Sequence, residues 1–484
     1  MTVTTLMPVR NLNLVVPLAH EATDRRTTGT AAHAQARPGA AAPQIGPQGL
    51  RRGSVDSTNT PSTTRTTRGT RTSTTATRTS TTSATRPGAA PSADSRRVQA
   101  FAPPFTFSDL LQAYLDCRRH KRNTASAQTF EARLERNLYD LQQELLAGTY
   151  QPGRSICFAI SHPKPREVWA AQFRDRIVHH LLYNHVAPRF HARFVATSCA
   201  CIPGRGTLRA VEHLEHAARS VTRNWSRPAH YLKCDLANFF VAINKRVLFA
   251  ELARRIHEPW WLQLAHTILF HDPRTDVEVR GEHELLRMVP PHKSLFNAPP
   301  DTGLPIGNLS SQFFANVYLD ALDQFAKHQL RARHYVRYVD DFILLHETPQ
   351  VLHDWLQRID TFLPERLGAQ LNPRKTILQP VARGIDFVGQ VIKPWHRTTR
   401  KRTLATALQR LAHMPDADTH QAGNSYLGLV RQATHSHQER AAICSVLLQR
   451  GHPVEGKGLT KALRRVRCAT NNIATGACTA SAGG

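Results

Sequence analysis

The residues of this chain best suited to chemistry are two adjacent aspartates, Asp340 and Asp341, in the run HYVRYVDDFILLH, residues 334–346. The rest of the run is apolar, aromatic and strand-forming. Burying a carboxylate destabilises a fold unless something pairs with it, and two neighbouring carboxylates also repel each other. Two interpretations follow. The pair marks a tight turn in which both carboxylates reach water, since Asp is a favoured turn residue, or it holds a divalent cation.

A third carboxylate, Asp235, extends the second interpretation. It follows the β-prone run YLKC and precedes LANFF, so it lies at a strand end where its side chain can face a cleft. By itself Asp235 would be interpreted as a helix N-cap. Together with Asp340 and Asp341 it could supply oxygen ligands for two Mg²⁺ ions, an arrangement suited to nucleotidyl transfer. The predicted cofactor is therefore two Mg²⁺ ions, for which Mn²⁺ could substitute.

A Gly/Pro bend lies between these acids, in the segment GLPIGNLSSQFFANVYLDAL, residues 303–322. Gly303, Pro305 and Gly307 let the backbone approach a ligand closely, and a helix is predicted directly after them. Such a bend is common before helices. Its position between two acidic strand motifs makes it a candidate binding loop.

The elements that must position these residues follow from the periodicity of apolar side chains. The predicted helices include residues 106–121, 127–147, 172–187, 245–257, 260–270 and 308–331. Pro188 is expected to end the third of them. From Tyr231 onwards strand and helix patterns alternate, interrupted by a Pro- and charge-containing insertion at 271–301. This succession predicts an α+β fold with a small antiparallel sheet packed on helices.

Composition points to a polyanionic partner. The chain of 484 residues has 63 Lys plus Arg against 36 Asp plus Glu, a formal net charge of +27. Such a balance favours nucleic acid or an anionic surface. No apolar stretch reaches the roughly 18 residues of a membrane span, and the N-terminus lacks the features of a secretory signal. We therefore expect a cytoplasmic protein whose eight cysteines are free thiols. Cys199-x-Cys201 is a weak zinc signal.

The two ends of the chain are predicted to lack fixed structure. Residues 1–98 form a Thr/Ser/Arg-rich segment with too few large apolar residues to offset the entropy of ordering. Such a tail could contact RNA loosely or merely keep the chain soluble, and its composition also resembles a transit peptide. Residues 468–484 are small and are predicted to be flexible.

The order of the motifs resembles that of a reverse transcriptase. DLANFF, GLPIGNLSSQ and YVDD are similar to motifs A, B and C of the reverse transcriptase palm. Segments similar to two fingers motifs, to motif D and to the primer-grip hairpin accompany them: KPREVWAAQFRDRIVHHLLYNHV (164–186), SCACIPGRGTLRAV (198–211), LNPRKT (371–376) and FVGQVI (387–392). The resemblance implies a right-hand polymerase fold, with fingers and palm over 101–400 and a helical, basic thumb over 401–467.

The resemblance also implies roles for individual residues. Asp235 and Asp340 would bind both metal ions with Asp341 in support, and the main-chain carbonyl of Leu236 would complete a metal shell. Phe240 would be the steric gate beside the sugar 2′ position.

Further residues would bind the nucleotide. Arg166 and Arg174 are candidates for contacts to the triphosphate or the template backbone, because a guanidinium matches phosphate oxygens. Lys375 would lie near the pyrophosphate as a general acid, although an exposed structural lysine is an open alternative. Ile306, Gly307 and Gln312 belong to the motif B segment and are assigned to nucleotide binding as well.

Within reverse transcriptases, the segment IGNLSSQ (306–312) is similar to the IGxxxSQ pattern of diversity-generating retroelements. In that family an aliphatic residue at the position of Ile306 accompanies error-prone copying opposite adenines. The implied partners are template RNA, primer or cDNA, deoxynucleoside triphosphates and a small basic accessory protein, with no membrane. A retron-like or antiviral-defence reverse transcriptase remains an alternative, as does a non-enzymatic basic RNA-binding protein with a palm fold.

Overall fold

A computed structural model describes residues 103–119, 121–161, 164–456 and 458–464. The predicted tails at 1–98 and 468–484 lie outside the described residues. Among the residues that are described, none of the helices combines the length and apolar character needed to cross a lipid bilayer.

The helices and strands alternate along the chain as follows. The helices are α1 Phe107–Arg118, α2 Ala125–Glu131, α3 Leu134–Leu146, α4 Phe173–His191, α5 Thr207–Val221, α6 Phe239–Ala242, α7 Lys245–Ala253, α8 Pro259–Phe270, α9 His283–Arg287, α10 Leu309–Gln324, α11 Pro349–Phe362, α12 Lys401–His413, α13 Asp416–Val430 and α14 His437–Gln449. The strands are β1 Ser155–Ile160, β2 Arg166–Ala170, β3 His230–Asp235, β4 Val277–Arg280, β5 His334–Tyr338, β6 Asp341–His346, β7 Ile377–Pro380, β8 Ile385–Phe387, β9 Gln390–Lys393 and β10 His396–Thr399.

The central element is a four-stranded antiparallel sheet in the order β5-β6-β3-β7. Successive residues of a strand point to opposite sides of the sheet, and both sides of this sheet are covered. One face packs in the largest core with α10 and α11, through Leu232, Cys234, Phe342 and Leu344. The other face packs on α5, through Tyr231, Val336, Ile343 and Leu345. Double burial explains why these strands are nearly continuous apolar runs.

A second sheet has the order β2-β1-β4, and its third strand comes from the 271–301 insertion. β4 runs parallel to β1, with Ser155 opposite Val277 and Phe158 opposite Arg280. The insertion is therefore part of this sheet. It also shares a small core with the sheet, formed by Cys157, Trp169, Leu295 and Ala298.

The C-terminal part begins with the antiparallel sheet β10-β9-β8. Lys233 Nζ, on β3, donates a hydrogen bond of 2.9 Å to the carbonyl oxygen of Asp386 on β8, which joins this sheet to the central one. Helices α12, α13 and α14 follow and enclose a separate core that includes Leu411, Leu427 and Leu447.

Several observed helices differ from the predicted ones, and two of the differences are larger than a shift of end residues or involve a proline. The segment predicted as one helix at 127–147 forms two helices, because the helical conformation is interrupted between Glu131 and Leu134. The helix predicted to end at Pro188 continues to His191. Pro188 lies in the last turn of α4, where its missing N–H removes one hydrogen bond and leaves the preceding turns intact.

Candidate active site

The two adjacent aspartates lie at a tight hairpin turn between β5 and β6. β5 ends at Tyr338, which pairs with Asp341 at the start of β6, so only Val339 and Asp340 form the connection. Val339 has φ of +54°, a conformation that is costly for a β-branched residue. Such strain persists only where the surrounding structure enforces it.

Arg337 supplies that enforcement. Its side chain and that of Asp323 on α10 are both 0% exposed. Its five N–H donors have five bonds, all between 2.6 and 3.3 Å: two to Asp323, one to Asn316 Oδ1, one to Ser198 Oγ and one to the carbonyl oxygen of Val339. One buried guanidinium therefore ties the turn that carries Asp340 to α10 and to the segment before α5.

The three predicted carboxylates converge at one end of the central sheet. Asp235 is the register partner of Asp341 across β3 and β6, and Asp340 projects from the adjoining turn. Burial, followed by the charges of Asp235 and Asp341, raises the pKa of Asp340 to about 6. Burial also raises the pKa of Asp341, with Lys233 opposing the shift. The carboxylates repel one another, so a cation is favoured among them.

In the structure that cation is the ammonium group of Lys375. A short helical turn, Pro373–Lys375, places Nζ at 2.6 Å from both carboxylate oxygens of Asp235. Asn372 donates from its main-chain N–H to the Asp235 carbonyl oxygen at 2.8 Å and from Nδ2 to Oδ1 at 3.2 Å. The predicted motif D segment therefore lies directly against the first metal-binding candidate. Leu236 is buried beside it and is paired with Leu371.

Over the described residues, no group of three or more His, Cys, Asp or Glu side chains is already drawn together as a metal cluster. The donor set still suits Mg²⁺, because it consists of hard carboxylate oxygens on neighbouring strands. The contact between Lys375 and Asp235 also shows that this end of the sheet accepts a positive charge.

The predicted binding loop is fastened to β2. The main-chain N–H of Trp169 donates to the carbonyl oxygen of Ile306 at 2.6 Å, and that of Ala171 donates to Asn308 Oδ1 at 3.1 Å. Gly307 has φ of +132°, and a Cβ there would lie 2.5 Å from the Trp169 carbonyl oxygen. Only glycine fits such an approach. Ile306 is half-buried and Gly307 is exposed.

Motif A contacts the same loop through its aromatic pair. Phe239 is 4% exposed and belongs to the main core, whereas Phe240 is half-buried at the edge of that core. The main-chain carbonyl of Phe240 accepts a hydrogen bond of 2.8 Å from Leu304 N–H. Gln312 lies half-buried in the first turn of α10. The steric-gate assignment of Phe240 and the nucleotide assignment of Gln312 stay predictions.

A group of cations lies beside the carboxylates, and sequence reasoning found only part of it. Arg166 begins β2 with an exposed side chain. Desolvation and then the positive charges of Lys375, Lys293 and Arg166 lower the pKa of Lys164, while Asp235 raises it. Lys164 and Lys293 were not among the predicted site residues.

The insertion brings Lys293 to this place through a buried anchor on β2. The main-chain N–H of Leu295, two residues after Lys293, donates to Glu167 Oε2 at 2.8 Å. Glu167 also accepts from Trp169 Nε1 at 3.1 Å, and the rings of Trp169 and Phe296 lie 4.8 Å apart. No local sequence signal marks Lys293, because its neighbours in space come from distant parts of the chain.

Arg174 is not brought into this group. Its guanidinium pairs with Glu144 on α3 and lies over the ring of Tyr150, 5.5 Å from the centroid. Its assignment to nucleotide binding stays a prediction, with these contacts standing against it. Arg337 was also missed, although a charged residue inside an apolar strand is a signal that could have identified it.

Comparison with known proteins agrees with this geometry. Residues 163–392 match the family described as reverse transcriptase (RNA-dependent DNA polymerase). The matched range contains the three aspartates, the binding loop and Lys375. This match indicates that residues 163–392 form an RNA-directed DNA polymerase domain, of the nucleotidyltransferase class, as the sequence predicted.

Individual relatives are more distant. Protein YkfC of Escherichia coli (strain K12) is 24% identical over 324 residues, which cover 59% of this chain and 77% of that protein. Among solved structures, telomerase from Candida albicans in complex with a fragment of telomeric RNA is 12% identical with a TM-score of 0.38, covering 61% of this chain and 55% of that one. Apo telomerase from Candida tropicalis is 11% identical with a TM-score of 0.40, covering 61% and 56%. The chain thus spans little more than half the length of these solved chains.

Proposed function

We propose that this enzyme copies an RNA template into cDNA by Mg²⁺-dependent nucleotidyl transfer, as the error-prone polymerase of a diversity-generating retroelement. The observation that carries the catalytic part is the convergence of Asp235, Asp340 and Asp341 at one sheet end, where their mutual repulsion favours bound cations. In the reaction the primer 3′-oxygen attacks the α-phosphorus of a deoxynucleoside triphosphate. The bond to the β-phosphate oxygen breaks, and pyrophosphate leaves.

Asp235 and Asp340 hold the metal ions in this proposal, with Asp341 in support and the Leu236 carbonyl completing the shell. When bound, the two ions supply Lewis-acid stabilisation of the attacking oxygen and of the leaving pyrophosphate. The ammonium group of Lys375, whose Nζ lies 2.6 Å from the Asp235 carboxylate, would give a proton to that leaving group.

The triphosphate lies, in the proposal, among the cations beside the carboxylates. Lys164, Arg166 and Lys293 are all exposed, and none has a side-chain hydrogen bond or ion pair within the described part of the chain. Unpaired cations next to a metal site are suited to phosphate oxygens. Phe240 would abut the sugar, and Ile306, Gly307 and Gln312 would contact the nucleotide from the other side.

A right-hand arrangement accommodates these roles. The β2-β1-β4 sheet with the helices before β3 would form fingers, the central sheet with its helices the palm (together 101–400), and the helices after β10 the thumb, 401–467. Template RNA and the growing cDNA would lie against this basic surface, and a small basic accessory protein would assist.

The retroelement assignment is supported by Ile306. Its main-chain carbonyl accepts a hydrogen bond from Trp169 on β2, which holds the backbone of the binding loop, and its aliphatic side chain is half-buried. A branched aliphatic group packs against a nucleotide but cannot hydrogen-bond to it, which loosens discrimination. Ile306→Gln should therefore lower errors opposite template adenines, measured by sequencing cDNA. An unchanged error spectrum would argue for the retron-like or defence type.

Primer extension on an RNA template tests the activity itself. Wild-type protein should extend the primer with Mg²⁺. The variant Asp340→Ala/Asp341→Ala should lose extension and keep RNA binding, because phosphate contacts are made elsewhere. Equal extension by both proteins would refute the site assignment. Binding without extension by the wild type would favour the non-enzymatic alternative.

A further inference from the structure

Trp395 stands apart from the other tryptophans of the chain. It is 67% exposed, whereas the other five lie in or against a hydrophobic core. Within the described residues its ring stacks on no other aromatic side chain. An exposed indole of this size makes little contribution to folding, because the area removed from water is small.

The backbone of Trp395 is also unfavourable for its residue type. β9 and β10 are joined by a two-residue turn, Pro394–Trp395, flanked by the paired residues Lys393 and His396. Pro394 has a fixed negative φ, and Trp395 follows with φ of +70°. In such a turn the second position favours glycine or asparagine. A tryptophan at this position is therefore neither buried nor conformationally preferred, which points to a role in binding.

The surroundings indicate what is bound. Residues 387–415 contain no Asp or Glu and six basic residues: Lys393, Arg397, Arg400, Lys401, Arg402 and Arg410. Arg397 pairs with Glu215 and Arg400 pairs with Asp386, whereas Lys393, Lys401 and Arg402 are exposed. The hairpin belongs to the β10-β9-β8 sheet. That sheet is hydrogen-bonded to the central sheet through Lys233, and the C-terminal helices follow it in the chain. A segment that carries exposed lysine and arginine side chains and an exposed aromatic ring suits a nucleic acid, whose phosphates pair with the cations and whose bases stack on the ring.

We infer that Trp395 stacks on a nucleobase of the bound template–primer, and that the turn keeps its unfavourable conformation for this purpose. The inference rests on the proposed function, because it takes the ligand to be the enzyme's own template–primer. It adds a sequence-tolerant contact to the electrostatic attraction of the basic residues around it.

The test measures binding of a fluorescein-labelled RNA–DNA template–primer by anisotropy, in EDTA and without nucleotides. Trp395→Ala and Trp395→Gly should each weaken binding about 5- to 100-fold, the range for loss of one base–aromatic stack. Trp395→Phe should stay within about threefold of wild type, because phenylalanine also stacks. The glycine variant should fold normally, with a Tm no more than about 2 °C below that of wild type, since glycine suits the turn.

Two controls separate stacking from other effects. Lys393→Ala should weaken binding and make the slope of log K against log salt shallower by about one, whereas the Trp395 variants should leave that slope unchanged. Tyr139→Ala removes another aromatic ring, which is 57% exposed on α3, and should bind like wild type.

The inference is overturned if Trp395→Gly binds with wild-type affinity, which is also the result expected of a contact to a protein partner. It is equally overturned if the phenylalanine variant binds as weakly as the alanine variant. Primer extension by wild type separates this result from the fate of the proposed function. If the wild type extends the primer and Trp395→Gly binds as tightly as the wild type, only the stacking is refuted. If Trp395→Gly binds more weakly but the wild type does not extend the primer, only the polymerase proposal is refuted.

Discussion

Replacing Arg337 by methionine tests whether a buried ion pair positions the turn that carries the proposed catalytic residue Asp340. The Arg337 and Asp323 side chains are both 0% exposed, and the shortest distance between them is 2.6 Å. Burial opposes the charge of Arg337, but the Asp323 carboxylate outweighs it and raises the pKa of the guanidinium. Removing one partner of such a pair costs about 3–5 kcal/mol, because the other charge stays buried without its counterion. We expect Arg337→Met to lower the free energy of unfolding by that amount in urea denaturation.

A second variant distinguishes positioning from stability. In Arg337→Met/Asp323→Asn the lone buried charge is removed, and the amide oxygen can still accept the hydrogen bond that Tyr335 donates to Asp323 at 2.6 Å. About 2 kcal/mol of the lost stability should return. Single-nucleotide extension on an RNA template should remain at least about tenfold slower than wild type, because no side chain then donates to the carbonyl oxygen of Val339.

The outcomes that refute this reasoning are specific. A double variant with the wild-type extension rate would show that the turn holds its conformation without Arg337. A loss of less than about 1 kcal/mol in Arg337→Met would show that the buried pair contributes little. Arg337→Lys is the matched control. It keeps the charge, but an ammonium group cannot reach five acceptors, so it should be more stable than the methionine variant and still slow.

The remaining predictions concern the carboxylates, the binding loop and the insertion. The pKa of Asp340 is raised from 3.8 to about 6 in the folded protein. Between about pH 4 and 6 the folded protein without metal therefore keeps a proton that the unfolded chain has already lost. Its Tm in EDTA should fall as pH rises through that window. Asp340→Asn should flatten this part of the profile, and an unaltered slope would contradict the shift. Gly307→Ala should lower the free energy of unfolding by more than about 2 kcal/mol in urea denaturation, because the added Cβ clashes with strand β2. Gly204 has φ of +74° and open space where a Cβ would lie. Gly204→Ala should therefore lower the free energy of unfolding by only about 1 kcal/mol, from the backbone alone. Lys293→Ala should raise the KM for deoxynucleoside triphosphates about fivefold in steady-state extension, while Arg287→Ala, in the same insertion, should leave it unchanged; equal effects would deny Lys293 a specific role.

Local rules were enough to place the three candidate carboxylates at strand ends. The apolar runs around Asp340 and Asp341 predict two strands with a tight turn, and the structure has that hairpin. The strand before Asp235 is likewise a local pattern. These predictions succeed because alternation and turn preference act between residues that are neighbours in the chain.

Side chains whose partners lie far away in the chain were predicted less well. Arg166 and Arg174 are both candidates by sequence, but the first is exposed near Lys164 and the second is paired with Glu144 on α3. The insertion gave no sign that it supplies a strand to the β2-β1-β4 sheet or that it carries Lys293 to the site. Such outcomes depend on how helices and strands pack against each other, which propensity does not encode.

The sequence by itself determined which residues could do the chemistry of this polymerase: the three aspartates, the glycine-containing bend and the basic residues around them. Only the tertiary structure decided how they are held. It places Asp235 opposite Asp341 on strands that are more than a hundred residues apart in the chain. It also pairs Lys375 with Asp235 and buries Arg337 with Asp323 next to the turn. The reason is physical, since hydrogen-bond register and the burial of a charge depend on which surfaces meet once the chain is compact.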